Sequence, residues 1–154
     1  MEMREAAAAY CAVVEGAEGL GRDRFVRDAA STLAMVVALA YRIPPIPVTS
    51  DDDESEPDGI PHEVWRSVMK SVQTVLDEWD DYWTTMSIHE ETPVNLSLAD
   101  ALADIWRDLR AGLDALGSGA PAEDALWEWR FGLRTHWGNH AVEALRALHQ
   151  RVVA

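Results

Sequence analysis

The chain has one cysteine and one lysine in 154 residues, and each scarcity excludes something. Cys11 has no partner within the chain, so no disulfide framework is available and an apolar core must hold the fold. Lys70 stands beside twelve arginines that gather into no basic track. With 13 bases against 27 acids the formal net charge is −14, which repels nucleic acid and anionic membrane alike. Long apolar runs are also missing. The longest, Ala29 to Tyr41, is interrupted by Ser31 and Thr32 and falls short of the about 20 residues that a membrane-crossing helix needs. The N-terminus lacks the basic segment, apolar run and small-residue cleavage site of a secretory signal. A soluble cytoplasmic protein is expected, with Cys11 packed in its core.

Sustained alternation of apolar and polar residues is absent, whereas five stretches show helical spacing. The reading is all-α: a single-domain helical bundle over residues 1–154, large enough to bury roughly two thirds of its unfolded surface. A first helix is expected from about Glu2 to Glu15, closed by Gly16, Gly19 and Gly21, and a second from Arg22 to Arg42, stopped by Pro44-Pro45. Residues 48–60 hold six acids within eight positions, Asp51 to Asp58, and read as a mobile acidic loop. Asp52, Glu54, Glu56 and Glu63 mimic a calcium-loop spacing. However, Pro57 stands where that loop requires glycine, so calcium is not expected.

Pro61 opens a third amphipathic helix whose broad apolar face runs through Trp79 to Tyr82 and Trp83. A linker, Thr84 to Asn95, leads to a fourth helix, Ser97 to Leu116, with a narrow leucine stripe. Its Asp100, Asp104, Arg107, Asp108, Arg110 and Asp114 read as a solvated face with local ion pairs. The last helix is expected from Pro121 to about Val152, bent near Gly132 or Gly138.

Chemistry concentrates in that last segment. His136 and His140 lie four apart and could share a divalent metal, yet no Glu-x-x-His or His-Glu-x-x-His motif accompanies them. Their expected role is structural, each imidazole bonding a carbonyl or carboxylate, and no cofactor is predicted. Arg130 falls near the middle of the apolar side and is expected to carry its guanidinium to the bundle rim. Trp79, Trp83, Trp106, Trp129 and Trp137 are expected in the core, and Trp127 and Phe131 at a surface or against a second subunit.

Tyr82-Trp83, the run Ser97 to Leu109, and Trp127-Glu128-Trp129-Arg130-Phe131 leading to Trp137-Gly138 and Ala144 to Leu148 together resemble a bacterial family of small helical proteins, domain of unknown function 5063. The resemblance covers the C-terminal half well. It rests on Trp129, Phe131, Trp137 and Gly138, without requiring His136 or His140, and Asp100-Ala101 stands where the family often has two aspartates. It implies a cytoplasmic all-helical domain and transfers no activity.

Two functions follow as expectations. The first is a non-enzymatic interaction or assembly protein that binds a protein partner, or itself, with Trp127, Trp129, Arg130, Phe131 and Asp104 as candidate contacts. The alternative is a small-molecule or metal-dependent site between the last three helices, using Asp104, Arg130, His136 and His140. No reaction motif assigns an enzymatic activity.

Overall fold

A computed structural model describes residues 1–47 and 59–153. Most of the expected acidic loop, residues 48–58, and with it the calcium-like spacing, lies outside the described residues. Among the described residues the elements are seven α-helices, a short 3-10 turn and one two-stranded hairpin, so the all-α reading holds while the expected five helices become seven.

Helix α1 (Met3–Glu15) begins where the Glu2 backbone N–H donates to Glu5 Oε2 at 2.9 Å, a side chain satisfying one of the unpaired donors at a helix start. A short α2 (Ala17–Leu20) follows, and Gly21, at φ +74°, turns the chain into α3 (Arg22–Ala40). Helix α4 (His62–Leu76) does not reach Trp83. Asp77 takes a positive φ of 51°, a 3-10 turn carries residues 77–79, and β1 (Asp81–Thr84) pairs antiparallel with β2 (Val94–Ser97) in the register Tyr82↔Leu96.

The expected helix end and part of the expected linker are therefore a hairpin. The physical reason is a contact distant in sequence: Asp80 reaches across to the start of α5 (Leu98–Gly117) and ends the helix early. Its backbone carbonyl accepts from the Leu98 N–H at 2.8 Å. Its carboxylate accepts from the Ala99 N–H at 2.7 Å, Ser97 Oγ at 3.0 Å and Gln73 Nε2 at 3.0 Å. The flanking Tyr82, Trp83 and Thr84 suit a pleated surface better than a helix interior. Trp83 is 66% exposed, which corrects its expected place in the core.

Helix α5 is central, packing against α1, α4, α6 and α7. Tyr10 of α1 donates its hydroxyl to the Leu102 carbonyl at 2.8 Å, and the Trp106 indole donates to Glu15 Oε1 at 2.9 Å. Cys11 is fully buried beside these contacts, as expected. Burial first, and the Glu15 carboxylate second, push its thiol up to about 12. Because the thiolate is the nucleophile, a chromogenic disulfide reagent should leave the native protein unmodified at neutral pH. Cys11 should titrate fully once the chain is unfolded in denaturant, and rapid native labelling would contradict this packing.

The expected last helix is two, α6 (Ala122–Thr135) and α7 (Trp137–Val153). The break falls on His136 (φ −142°, ψ −84°) rather than on Gly132 or Gly138. Both glycines act through space. A Cβ on Gly132 would lie 2.6 Å from the Trp137 ring, and one on Gly138 would lie 1.9 Å from the Leu133 carbonyl oxygen. Trp137 is fully buried and donates its indole N–H to the Trp129 carbonyl at 3.1 Å. Trp129 in turn lies over Gly112 of α5, where a Cβ would fall 2.4 Å from its Nε1.

Candidate functional site

The sequence-derived site residues separate onto two faces of the α6–α7 unit. On the flank of α6, Trp127 and Phe131 lie one turn apart and stack nearly parallel, their ring centroids 5.0 Å apart at 7°. Trp127 is half-buried and Phe131 is 50% exposed. Trp129, expected as a contact residue, points the other way and is 1% exposed, so it supports this surface from beneath without forming part of it. Arg130 is half-buried and donates Nε to the Ile43 carbonyl at 3.2 Å, tying α6 to the segment after α3. Its guanidinium is anchored rather than aimed into a cavity.

The second face is a polar seam between α5 and α7. Asp100, Asp104 and Asp108 repeat every four residues, which at 100° per residue places them on one stripe of α5. Their expected setting was a solvated face. Instead all three are half-buried, because α7 and the joint before it lie alongside and set His140 and His136 near them. His136 Nδ1 is 2.7 Å from Asp108 Oδ2, and His140 Nε2 is 3.8 Å from Asp104 Oδ2. Arg107 holds the other Asp104 oxygen, Oδ1, at 3.1 Å and lies over the Trp65 ring of α4, 5.6 Å from its centroid. The two imidazoles meet edge to face at 5.3 Å and 79°. One ligand atom from each of Asp104, His136 and His140 falls within 4.8 Å of the others.

Like charges and burial mark the electrostatics of the seam. Burial first, then the Asp104 carboxylate, holds the Asp100 carboxyl above the usual range, while His140 and Arg107 pull it back. At the end of the seam, burial followed by the carboxylates of Glu143 and Asp100 pushes the Tyr82 phenol up to about 12. Nearby, Tyr82, Trp83, Thr84, Glu143, Arg146, Ala147 and Gln150 line a cleft with room for about 10 Å³, no more than a single water.

His136 and His140 lie together as their spacing suggested and meet Asp104, whereas Arg130, the fourth residue of the alternative site, is not among them. Asp108 was missed as the partner of His136. The four-residue ladder of acids on α5 carried part of that signal, but which helix would cover the ladder is a tertiary fact.

Residues 1–154, the whole chain, match the family described as Domain of unknown function (DUF5063), so the likeness extends beyond the C-terminal half that carried the resemblance. The crystal structure of protein BF1032 from Bacteroides fragilis is similar over 97% of this chain and 89% of that one, at 26% sequence identity and a TM-score of 0.83. No curated protein matches the chain.

Proposed function

We propose that this chain, which belongs to the DUF5063 family, is a protein-interaction module that docks a partner protein on the flank of α6. The observation that carries this reading is the Trp127–Phe131 stack, a nearly parallel aromatic pair with Phe131 half-exposed. Large aromatic side chains held in one conformation bury much surface at small entropic cost, which is why they dominate binding energy at interfaces.

The surroundings favour a particular kind of partner. Exposed Glu123 and Asp124 lie within one turn of Trp127, and the whole chain carries −14. A second copy would be repelled, whereas a protein with arginine or lysine around an apolar centre would be attracted. The same charge disfavours nucleic acid and anionic lipid. No helix among the described residues is long and apolar enough to cross a membrane. A small-molecule site involving Arg130 is the weaker reading, since that guanidinium is tied to the Ile43 carbonyl. A cytoplasmic location suits the one buried, unpaired thiol.

Photo-crosslinking tests the surface directly. A photoreactive phenylalanine at position 131 should give one discrete adduct in cells, and the same group at exposed Val142 of α7 should not. With the captured protein purified, Phe131→Ala or Trp127→Ala should weaken binding by about 2 kcal/mol, about thirtyfold in Kd, and added salt should weaken it further. No adduct above the Val142 control, or an adduct only with a second copy of the chain, would contradict the proposal.

A further inference from the structure

The geometry points to a divalent transition-metal site at the α6–α7 joint, with Asp104, His136 and His140 as ligands and Asp108 orienting His136. The inference is independent of the α6 flank, because Trp127 and Phe131 take no part in it.

Three features argue for a metal rather than a set of ion pairs. The first is spacing. His140 Nε2 and Asp104 Oδ2 are 3.8 Å apart, too far for a hydrogen bond. Ligands bound at about 2.0–2.1 Å around a tetrahedral metal lie roughly 3.4 Å apart. The third ligand atom is within 4.8 Å of both, so small side-chain rotations would bring all three onto one ion.

The second feature is how the remaining polar atoms are used. Asp108 engages His136 Nδ1 at 2.7 Å, which fixes the ring and leaves Nε2 for a ligand. A carboxylate on the far nitrogen of a ligating histidine is the usual outer partner in metal sites. Arg107 likewise holds Oδ1 of Asp104 and leaves Oδ2 facing His140. Asp104 and His136 thus each have one atom anchored and a second left for an ion.

Access and charge form the third feature. Asp104 is the deepest of the three, its side chain 14% exposed, whereas those of His136 and His140 are 42% and 36% exposed. An ion can reach the site from solvent, and its remaining coordination positions would be open to water. The nearby carboxylates of Asp100 and Asp108 add negative potential that attracts a cation. Two imidazoles with one carboxylate suit zinc and its first-row neighbours better than calcium or magnesium, which prefer oxygen alone.

Cobalt(II) is a suitable probe, because its visible absorption reports both binding and coordination geometry. The untagged protein should take up one equivalent of Co²⁺ with an intense visible band, and Zn²⁺ should displace it. His140→Ala and His136→Ala should each weaken binding by about a hundredfold or more. Asp108→Asn should cost about 10–100-fold, and His149→Ala, on an exposed position of α7, should cost nothing. Thermal unfolding separates ligand loss from misfolding. Without metal the wild type and His140→Ala should melt together, and added Zn²⁺ should raise the Tm of the wild type alone. Absence of a stoichiometric Co²⁺ band, or binding by His140→Ala equal to that of the wild type, would overturn the site.

Discussion

Gly138→Ala should destabilise the protein by about 3 kcal/mol or more, the largest loss expected from adding a single methyl group. Gly138 follows directly on the first residue of α7, and a Cβ there would sit 1.9 Å from the Leu133 carbonyl oxygen, 2.8 Å from its carbonyl carbon and 3.2 Å from its Cα. All three atoms belong to the backbone of α6, so no rotamer change relieves the clash. The joint is also closed from the other side, where the His136 N–H donates to the Gly132 carbonyl at 2.8 Å. Relief requires α6 and α7 to part, which would pull Trp137 out of its fully buried position. Equilibrium unfolding in urea gives the test, with a Tm lower by about 6–12 °C as its thermal counterpart. A loss under about 1 kcal/mol with an unchanged m-value would mean that the joint relaxes without unpacking.

Asp80→Ala should cost about 3 kcal/mol, because one carboxylate holds three elements together. It accepts from Gln73 of α4, from Ser97 at the end of β2 and from the Ala99 N–H in the first turn of α5. Asp80 is 6% exposed and Ala99 is fully buried, so water cannot easily replace the lost acceptor. An orphaned buried N–H costs about 1–3 kcal/mol, and charge-assisted bonds are worth roughly twice neutral ones. The negative charge also sits at the positive end of the α5 dipole. Asp80→Asn should cost less, since the amide oxygen can still accept from Ala99, and its NH₂ can donate to Gln73 Oε1 once the Gln73 amide, which now donates Nε2, turns over. Denaturant unfolding of the two variants should therefore rank Ala below Asn. Equal stability of Asp80→Ala and the wild type would sink this account.

The helical class was legible because period-3.6 patterns are local and strong. The leucine stripe of α5 and the spacing of Phe25, Ala29, Leu33 and Val36 in α3 are written in short windows of sequence; the α3 face and Leu98, Leu102 and Leu109 are buried, while Leu113 and Leu116 are half-buried. Trp83 shows where such reasoning fails. It continues the apolar spacing of α4, so the pattern alone extends the helix, but the turn at Asp77 and the reach of Asp80 to Ala99 depend on a segment about twenty residues away. The joint at His136 was hidden for a related reason. Glycine suggested flexibility at Gly132 or Gly138, whereas both serve close approach and the backbone departs from helix at the residue between them. As for the candidate site, the four-residue spacing of His136 and His140 was visible, and the acids that meet them were visible only as an exposed ladder.

Chain order gives the packing a consequence for synthesis. Helix α7 packs on α3 and α5, yet it leaves the ribosome after both. Until it arrives, the parts of those helices that it will cover face water or a chaperone. Contacts this distant in sequence, like the bond from Tyr10 to Leu102, also demand loop closure before they give any return, which slows folding relative to a bundle of sequential hairpins. A nascent chain stalled at the α6–α7 joint should therefore be a chaperone client, with α3 and α5 formed and no α7 to cover them.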